Sequence, residues 1–239
     1  MARIVNEEEH AARRNQILDA AQRLVYTKGY EQMTIQDILD DLGISKGAFY
    51  HYFDSKTALL EALVERMVVG EVLPLLNPIV ENPQLTALEK LHAYFDTAVR
   101  WKTARKSFML SILKIWIADE NAIFRQKLSA MTVRHVVPLL TDIINQGVAE
   151  GVFNTSYPGE AGRVIVYILF GLSDTIMDLF LQETNGFDPH TAESVATFTA
   201  ALNDAMERVL GAPSGSISLI EPGILNEWFA PAETSIDYQ

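Results

Sequence analysis

The chain has 239 residues and a mass of 26.7 kDa, with 49% apolar and 21% charged side chains, the balance of a soluble protein built as one large domain or two modest ones. Cysteine is absent, which removes disulfides, thiolate metal sites and cysteine nucleophiles together. The formal net charge is −12, yet residues 1–56 hold seven basic and nine acidic side chains, so most of the negative charge lies beyond them and a locally basic contact face stays open to this chain.

Helical periodicity runs through the whole sequence and predicts an all-α fold. Residues 8–28 read as a first helix, with Ile17, Ala21, Leu24 and Val25 on one face and Gly29 as its stop. Thr34 begins a short second helix that runs through Leu42 and ends at Gly43. Thr34 and Asp37 have capping-box spacing, and Met33 and Ile38 have the spacing of a hydrophobic staple. Ser45 caps a brief third helix ending near Phe53, with Ile44 and Phe49 as a second staple. Ser55 caps a fourth, over 55–72, carrying Leu59, Leu60, Leu63 and Met67. Pro74, Pro78 and Pro83 then read as punctuation. Further helices are expected at about 85–103, 106–118, 120–146 with a kink at Pro138, 159–184 and 189–210. The last stretch, 212–239, is rich in Pro, Gly and Ser but carries Ile217, Leu219, Ile220, Ile224, Leu225, Trp228 and Phe229, so part of it is expected to pack on the body.

The apolar run Val164–Leu172 is fenced by Arg163 and Asp174. It falls well short of the ~20 residues that span a bilayer, and the N-terminus has no apolar segment of the signal-peptide kind. The expectation is a cytoplasmic protein without a membrane partner.

The informative segment is Thr34–Leu60, TIQDILDDLGISKGAFYHYFDSKTALL. Two short helices separated by Gly43-Ile44 form a helix-turn-helix. On a wheel of 100° per residue the second helix turns Phe49, Tyr52 and Phe53 inward, while Gly47 and His51 point out, flanked by Ala48 and Tyr50. A merely solvated helix would carry Glu, Lys and Gln there. A glycine inside a helix costs ~1 kcal/mol relative to alanine, and its missing side chain is of use where another molecule must come close. A helix seated in a DNA major groove meets that need: Ala48 against a thymine methyl, Tyr50 on a phosphate, His51 on a phosphate or base edge. Lys56, one residue after the Ser55 cap, adds a cation at a positive helix end, a phosphate clamp. The plainer reading is a helical hairpin whose Tyr and His simply pack.

The segment closely resembles the N-terminal domain of the tetracycline-repressor (TetR) family of transcription regulators. Thr34, Ile38, Gly43, Ile44, Ser45, Gly47, Tyr50, His51, Phe53, Lys56 and Leu59 stand where that family has matching or similar residues, and the Ile17–Ala21 run with the later Gly29-Tyr30 looks like its first helix. The resemblance covers about residues 10–65 in detail. Leu39 departs from the usual small residue, and Asp40-Asp41 is acidic for a neighbour of DNA. The resemblance implies a homodimer of about nine helices per chain. A DNA-binding domain over 1–54 would precede a ligand-binding and dimerisation domain over 55–211, with 212–239 as a C-terminal extension. It implies double-stranded DNA with a palindromic operator and a small-molecule effector as partners. Thr34, Gln36, Tyr50, His51 and Lys56 would hold phosphates, with Ser45 capping the recognition helix and Lys46, Gly47 and Ala48 meeting base edges. Arg3, Arg13 and Arg14 would reach the flanking backbone if the N-terminal arm lies near DNA.

Between residues 85 and 180 the candidates for an apolar or aromatic effector are His92, Trp101, Arg105, Phe108, Met109, Ile112, Trp116, His135, Phe170, Asp174 and Met177. The plain alternative for the apolar ones is core. The run Val164–Leu172 is apolar all round and must bury two faces. Ile165, Ile168, Leu169 and Leu172, with Phe198, Leu202 and Met206 of the last helix, are the candidates for a dimer interface. The five His, at 10, 51, 92, 135 and 190, show no metal spacing, and no G-x-S-x-G, P-loop or G-x-G-x-x-G occurs. An enzyme, a metal and a cofactor are therefore not expected. The rival reading is a helical ligand-binding or adaptor protein that has lost operator binding.

Overall fold

The computed structural model describes the backbone of residues 2–117, 122–182, 189–220, 224 and 228, and the side chains of these except 2–6, 114, 116, 117, 172–182, 189–192 and 195. Among the described residues every regular element is helical: α1 (Ala2–Lys28), α2 (Ile35–Leu42), α3 (Lys46–Tyr50), α4 (Lys56–Met67), a π-helical turn (Val68–Val72), α5 (Leu73–Glu81), α6 (Ala87–Thr103), α7 (Lys106–Ile117), α8 (Ala122–Glu150), α9 (Pro158–Gln182) and α10 (Pro189–Leu210).

Short helices need their ends satisfied, and the chain supplies a side-chain cap at the start of α2, α3 and α4. The Thr34 hydroxyl accepts the Asp37 amide while the Asp37 carboxylate accepts the Thr34 amide, which closes the expected capping box. Ser45 accepts from the Ala48 amide and Ser55 from the Ala58 amide. Gly43 ends α2 at φ 61°, in the left-handed region that a residue with a Cβ enters only at a cost.

Three elements differ from the sequence-based expectation. α1 begins at Ala2 rather than near residue 8, and Ala2, Arg3 and Glu7 are good helix formers in the added stretch. α3 is one turn long, and Tyr52 and Phe53 lie in the turn after it, held by amides to the Phe49 carbonyl. Leu73–Glu81 is a helix, where the prolines suggest a break. Pro74 sits in its first turn, where a missing N–H removes no intrahelical bond. The buried Lys90 ammonium of α6 donates to the Val80 carbonyl near the end of α5.

Contacts divide the chain into two compact units, each discontinuous in sequence: residues 1–71 with 107–128, and residues 72–106 with 129–239. In the first, α1 packs on α2 and α4, and α2 on α3. Ile17, Leu18, Met33, Ile38, Phe49, Leu59, Leu60, Leu63 and Met67 are almost fully buried here, and burying each such side chain contributes roughly 1.5–3 kcal/mol. Leu39, in place of a smaller residue, is buried as well. Arg66 near the end of α4 donates to Asp19 and Gln22 of α1, both at 2.7 Å. Phe108 and Phe124 complete this core, Phe108 with its ring 5.8 Å from that of Tyr26. In the second unit, α5 packs on α6 and α9 on α10. Their core joins Leu91, Tyr94 and Phe95 to Leu140, Ile143 and Ile144, to Ile165 and Val166, and to Leu202, Met206 and Leu210.

Candidate nucleic-acid interface

The first unit presents α3 at its surface. Lys46, Gly47, Tyr50 and His51 are exposed, Ala48 is half-buried, and Phe49 and Phe53 are buried beneath them. The helix is therefore anchored by one aromatic pair, ring centroids 6.0 Å apart, and offers small and hydrogen-bonding groups outward. A Cβ built on Gly47 would have one neighbour within 4 Å, Ser45 Oγ at 3.9 Å. No neighbour among the described residues demands a glycine there.

Aromatic contacts fix the end of α3. His51 meets His10 of α1 edge-on at 5.4 Å and Tyr52 at 5.0 Å, and His10 lies 4.6 Å from Tyr52. The Arg14 guanidinium stands 5.1 Å from the centre of the Phe53 ring and the Lys46 ammonium 5.9 Å from that of Tyr50. Both are cation–π distances. The His10 contact and the half-burial of Tyr52 join residues about forty positions apart, and no local pattern in the sequence signals them.

The carboxylates beside α3 are largely answered within the unit. Asp37 pairs with Lys28 at 2.7 Å, and that contact with the Thr34 cap holds its carboxyl down at about 2. Asp41 pairs with Arg23 at 2.7 Å, and Asp40 accepts from the Gln36 amide at 2.8 Å. Gln36 therefore spends its amide on Asp40, and Thr34 spends its hydroxyl on the cap. Lys56 opens α4 with its ammonium 4.2 Å from the centre of the Tyr30 ring, donating to the Glu31 carbonyl. Burial pulls its pKa down, while Glu31 and Asp37 push it up. Arg13 donates to Gln16, and the Arg3 side chain lies outside the described residues.

The effector candidates fall in both units. Phe108, Met109 and Ile112 belong to the first, Phe108 and Ile112 buried and Met109 half-buried. His92, Trp101, Arg105, His135 and Phe170 belong to the second. There Arg105 lies 4.5 Å over the Trp101 ring, and Phe170 packs on the core. The buried His135 Nε2 has no hydrogen-bond partner among the described residues. The side chains of Trp116, Asp174 and Met177 lie outside the described residues.

Of the dimer candidates, Ile165, Leu202 and Met206 are spent in the core of their own unit, because their faces of α9 and α10 turn inward. Ile168 and Leu169 are half-buried against that core, Phe198 is half-buried, and the Leu172 side chain lies outside the described residues. Among the described residues of α9 the large apolar groups exposed are Val164 and Tyr167, in line with Gly171.

Within the second unit residues 212–220, with 224 and 228, form a strap whose contacts reach α6 and α10. Ile217 and Leu219 are buried, their amides donating to Glu207 and Asn203 of α10. Trp228 Nε1 donates to Thr103 at 2.7 Å. Leu225 and Phe229 lie outside the described residues. Among the described residues no helix is long and apolar enough to cross a membrane, and no group of three or more His, Asp or Glu could hold a metal.

Residues 17–63 match the family described as bacterial regulatory proteins, tetR family, and residues 108–189 match the tetracyclin repressor-like C-terminal domain. The C-terminal family match crosses the boundary between the two units. An HTH-type transcriptional repressor of Mycobacterium tuberculosis is 44% identical over 59 residues, 25% of this chain and 32% of that protein. The regulator EthR of Mycolicibacterium smegmatis is 23% identical over 174 residues, 64% of this chain and 80% of EthR. Over the N-terminal domain alone the matches span about a third of the relatives' length. The fold is shared with the transcriptional regulator FadR of Bacillus subtilis, solved in complex with stearoyl-CoA, at a TM-score of 0.56 and 20% identity over 84% of this chain and 98% of that one.

Proposed function

The chain belongs to the TetR family of transcriptional regulators, and from that premise we propose that it is a ligand-responsive repressor that works as a homodimer on a palindromic operator. Gly47 carries the reading: it is exposed, has room for a side chain, and lies on α3, whose outer face is small and hydrogen-bonding. A major-groove floor accounts for a glycine that the fold does not require. Lys46, Gly47 and Ala48 read base edges. Tyr50, His51 and Lys56 hold phosphates, joined by Thr34 and Gln36 once they exchange their internal partners for DNA. Ser45 keeps the recognition helix capped. The pairing of Asp37 and Asp41 with Lys28 and Arg23 removes much of the local repulsion that the bare charge count suggests.

Residues 1–54 form the DNA-binding part in this reading, 55–211 the ligand-binding and dimerising part, and 212–239 an extension. The His135 nitrogen, without a partner among the described residues, supports an effector site in the second part, since a buried polar atom without a partner costs about 1–3 kcal/mol. The effector is a small apolar or aromatic molecule. FadR, with its stearoyl-CoA, is an instance of this fold holding an apolar chain. The exposed Val164–Tyr167–Gly171 stripe of α9 is the face offered to a second copy. The two recognition helices of a dimer must sit about one DNA turn apart, ~34–36 Å, and an effector that binds the off-register state better releases the operator. Such a regulator acts in the cytoplasm, where the operator is.

The test is selection of bound fragments from the source organism's DNA at physiological salt, comparing wild type with the double variant Tyr50→Ala/Lys56→Ala. Recovery of a short palindrome by wild type alone is the expected result. No enrichment by a folded, dimeric wild type, with or without added cell metabolites, overturns the reading in favour of an adaptor that has lost its operator.

A further inference from the structure

A cavity of about 300 Å3 lies between α6 and the C-terminal strap. It does not arise from a loosely laid strap. The amides of Ile217, Ser218 and Leu219 are each taken by a side chain of the helices below (Glu207, His92 and Asn203 in turn), and Ile217 and Leu219 are buried. Close-packed interiors leave few spaces larger than a water molecule. This one is at the small end of the ~300–1,000 Å3 range of ligand sites.

Its walls suit a flat apolar body, with Ala93 and Val99 on α6 facing the side of Ile220 and Ile224 on the strap. Among the described residues His92, Asp96 and Ser218 bring polar side chains to the lining. His92 Nε2 accepts the Ser218 amide at 3.4 Å, so the neutral ring carries its proton on Nδ1 and keeps one donor. Asp96 is held by Arg100, whose Nε lies 2.8 Å and 2.9 Å from its two oxygens, and a carboxylate so bonded retains acceptor capacity. A donor and an acceptor one helical turn apart match a group that both accepts and donates. The Asp96 carboxylate in the lining repels a carboxylate head, and its charge is already met by Arg100, which leaves little for an ammonium, so a neutral head suits the site.

We propose that this strap-walled cavity is a binding site for a small neutral hydroxylated aromatic, its hydroxyl held by His92 and Asp96 and its rings between α6 and the strap. The site is separate from operator binding and stands or falls independently of it.

Isothermal titration calorimetry on the full chain without DNA tests this, with 2-naphthol and its hydroxyl-blocked analogue 2-methoxynaphthalene as probes. Wild type should bind 2-naphthol about tenfold more tightly than the methyl ether, the effect of one well-placed hydrogen bond. Ala93→Phe and Ile220→Trp fill the space and should abolish binding of both probes, while His92→Phe should bring the two affinities together. Circular dichroism identifies which cavity-filling variants are folded, and His92→Phe, on the half-buried face of α6, gives a reading by itself. The proposal is overturned if wild type binds neither probe or does not distinguish them. It is equally overturned if a folded filled variant binds 2-naphthol as wild type does, or if His92→Phe keeps the full preference.

Discussion

The Lys56 ammonium stands 4.2 Å above the Tyr30 ring, so the cation at the start of α4 is held by a residue of the α1–α2 loop rather than left to swing in solvent. Cation–π contact fixes where the charge sits without neutralising it. Lys56→Gln should lower operator affinity and reduce the slope of log K against log salt by about 1, the loss of one phosphate contact. Tyr30→Leu should weaken binding while leaving that slope unchanged, because the charge remains and only its placement is lost. Salt titrations of operator binding for the two variants separate these effects.

Gly47→Ala should split stability from function. With open space around the new Cβ, the fold has no reason to suffer, and α3 gains up to about 1 kcal/mol from the better helix former. Operator affinity should fall at least about tenfold, since the methyl meets the groove floor. Thermal melts and operator titrations on the same preparation check both halves. An unchanged affinity would remove the reason given for the glycine.

Asp37 makes the first unit acid-sensitive in a defined window. Its contacts with Lys28 and the Thr34 cap favour the ionised form, and its folded pKa of about 2 lies below the ordinary 3.8. A depressed carboxyl stabilises the fold fully above the ordinary value, and that stabilisation is lost as pH falls through the folded value. The stability gap between wild type and Asp37→Asn should therefore be constant above about pH 5 and shrink between about pH 4 and 2. Denaturant melts at stepped pH measure it.

Gly147 in α8 lies against the buried Phe153 ring, and a Cβ there would overlap the ring carbons. Gly147→Ala should destabilise the second unit by about 1–3 kcal/mol despite its better helix propensity, because the ring must leave its place in the core. Phe153→Leu in the same background should recover part of the loss. A double-mutant cycle by chemical denaturation gives the coupling between the two sites.

Tyr167 is 54% exposed on α9, with Val164 on the same face. Tyr167→Asp should convert the dimer to a monomer with secondary structure intact, and with it weaken operator binding, since each half-site is then held separately. Sedimentation velocity alongside circular dichroism reads this. A dimer that survives the substitution would place the interface elsewhere.

Local chemistry made the DNA-binding end legible from the sequence. Thr34, Ser45 and Ser55 each accept the amide three residues on, as their spacing predicts, because a cap depends only on neighbours in the chain. Phe49 and Phe53 turn inward for the same reason. The helix Leu73–Glu81 was hidden by its prolines, one of which occupies a first-turn position where proline is harmless. Pairs distant in sequence carried no local signal: His10 with His51, Glu61 with Lys127, Ser218 with His92. The dimer candidates show the same limit. The periodicity marked α9 as two-faced, but only packing shows that Ile165 faces inward and Tyr167 outward.

The two units also set an order of events during synthesis. The first recruits residues 107–128, so the DNA-reading helices cannot complete their core when residue 71 leaves the ribosome; they wait for Phe108 and Phe124. The second waits longer, since Ile217 and Leu219 of the strap are part of its core. At roughly 5–20 residues per second, several seconds separate the two completions. In that interval a nascent chain carries a finished reading head on an open ligand domain. Rare codons or stalls between residues 128 and 217 would lengthen that exposure and should raise aggregation without changing a single side chain.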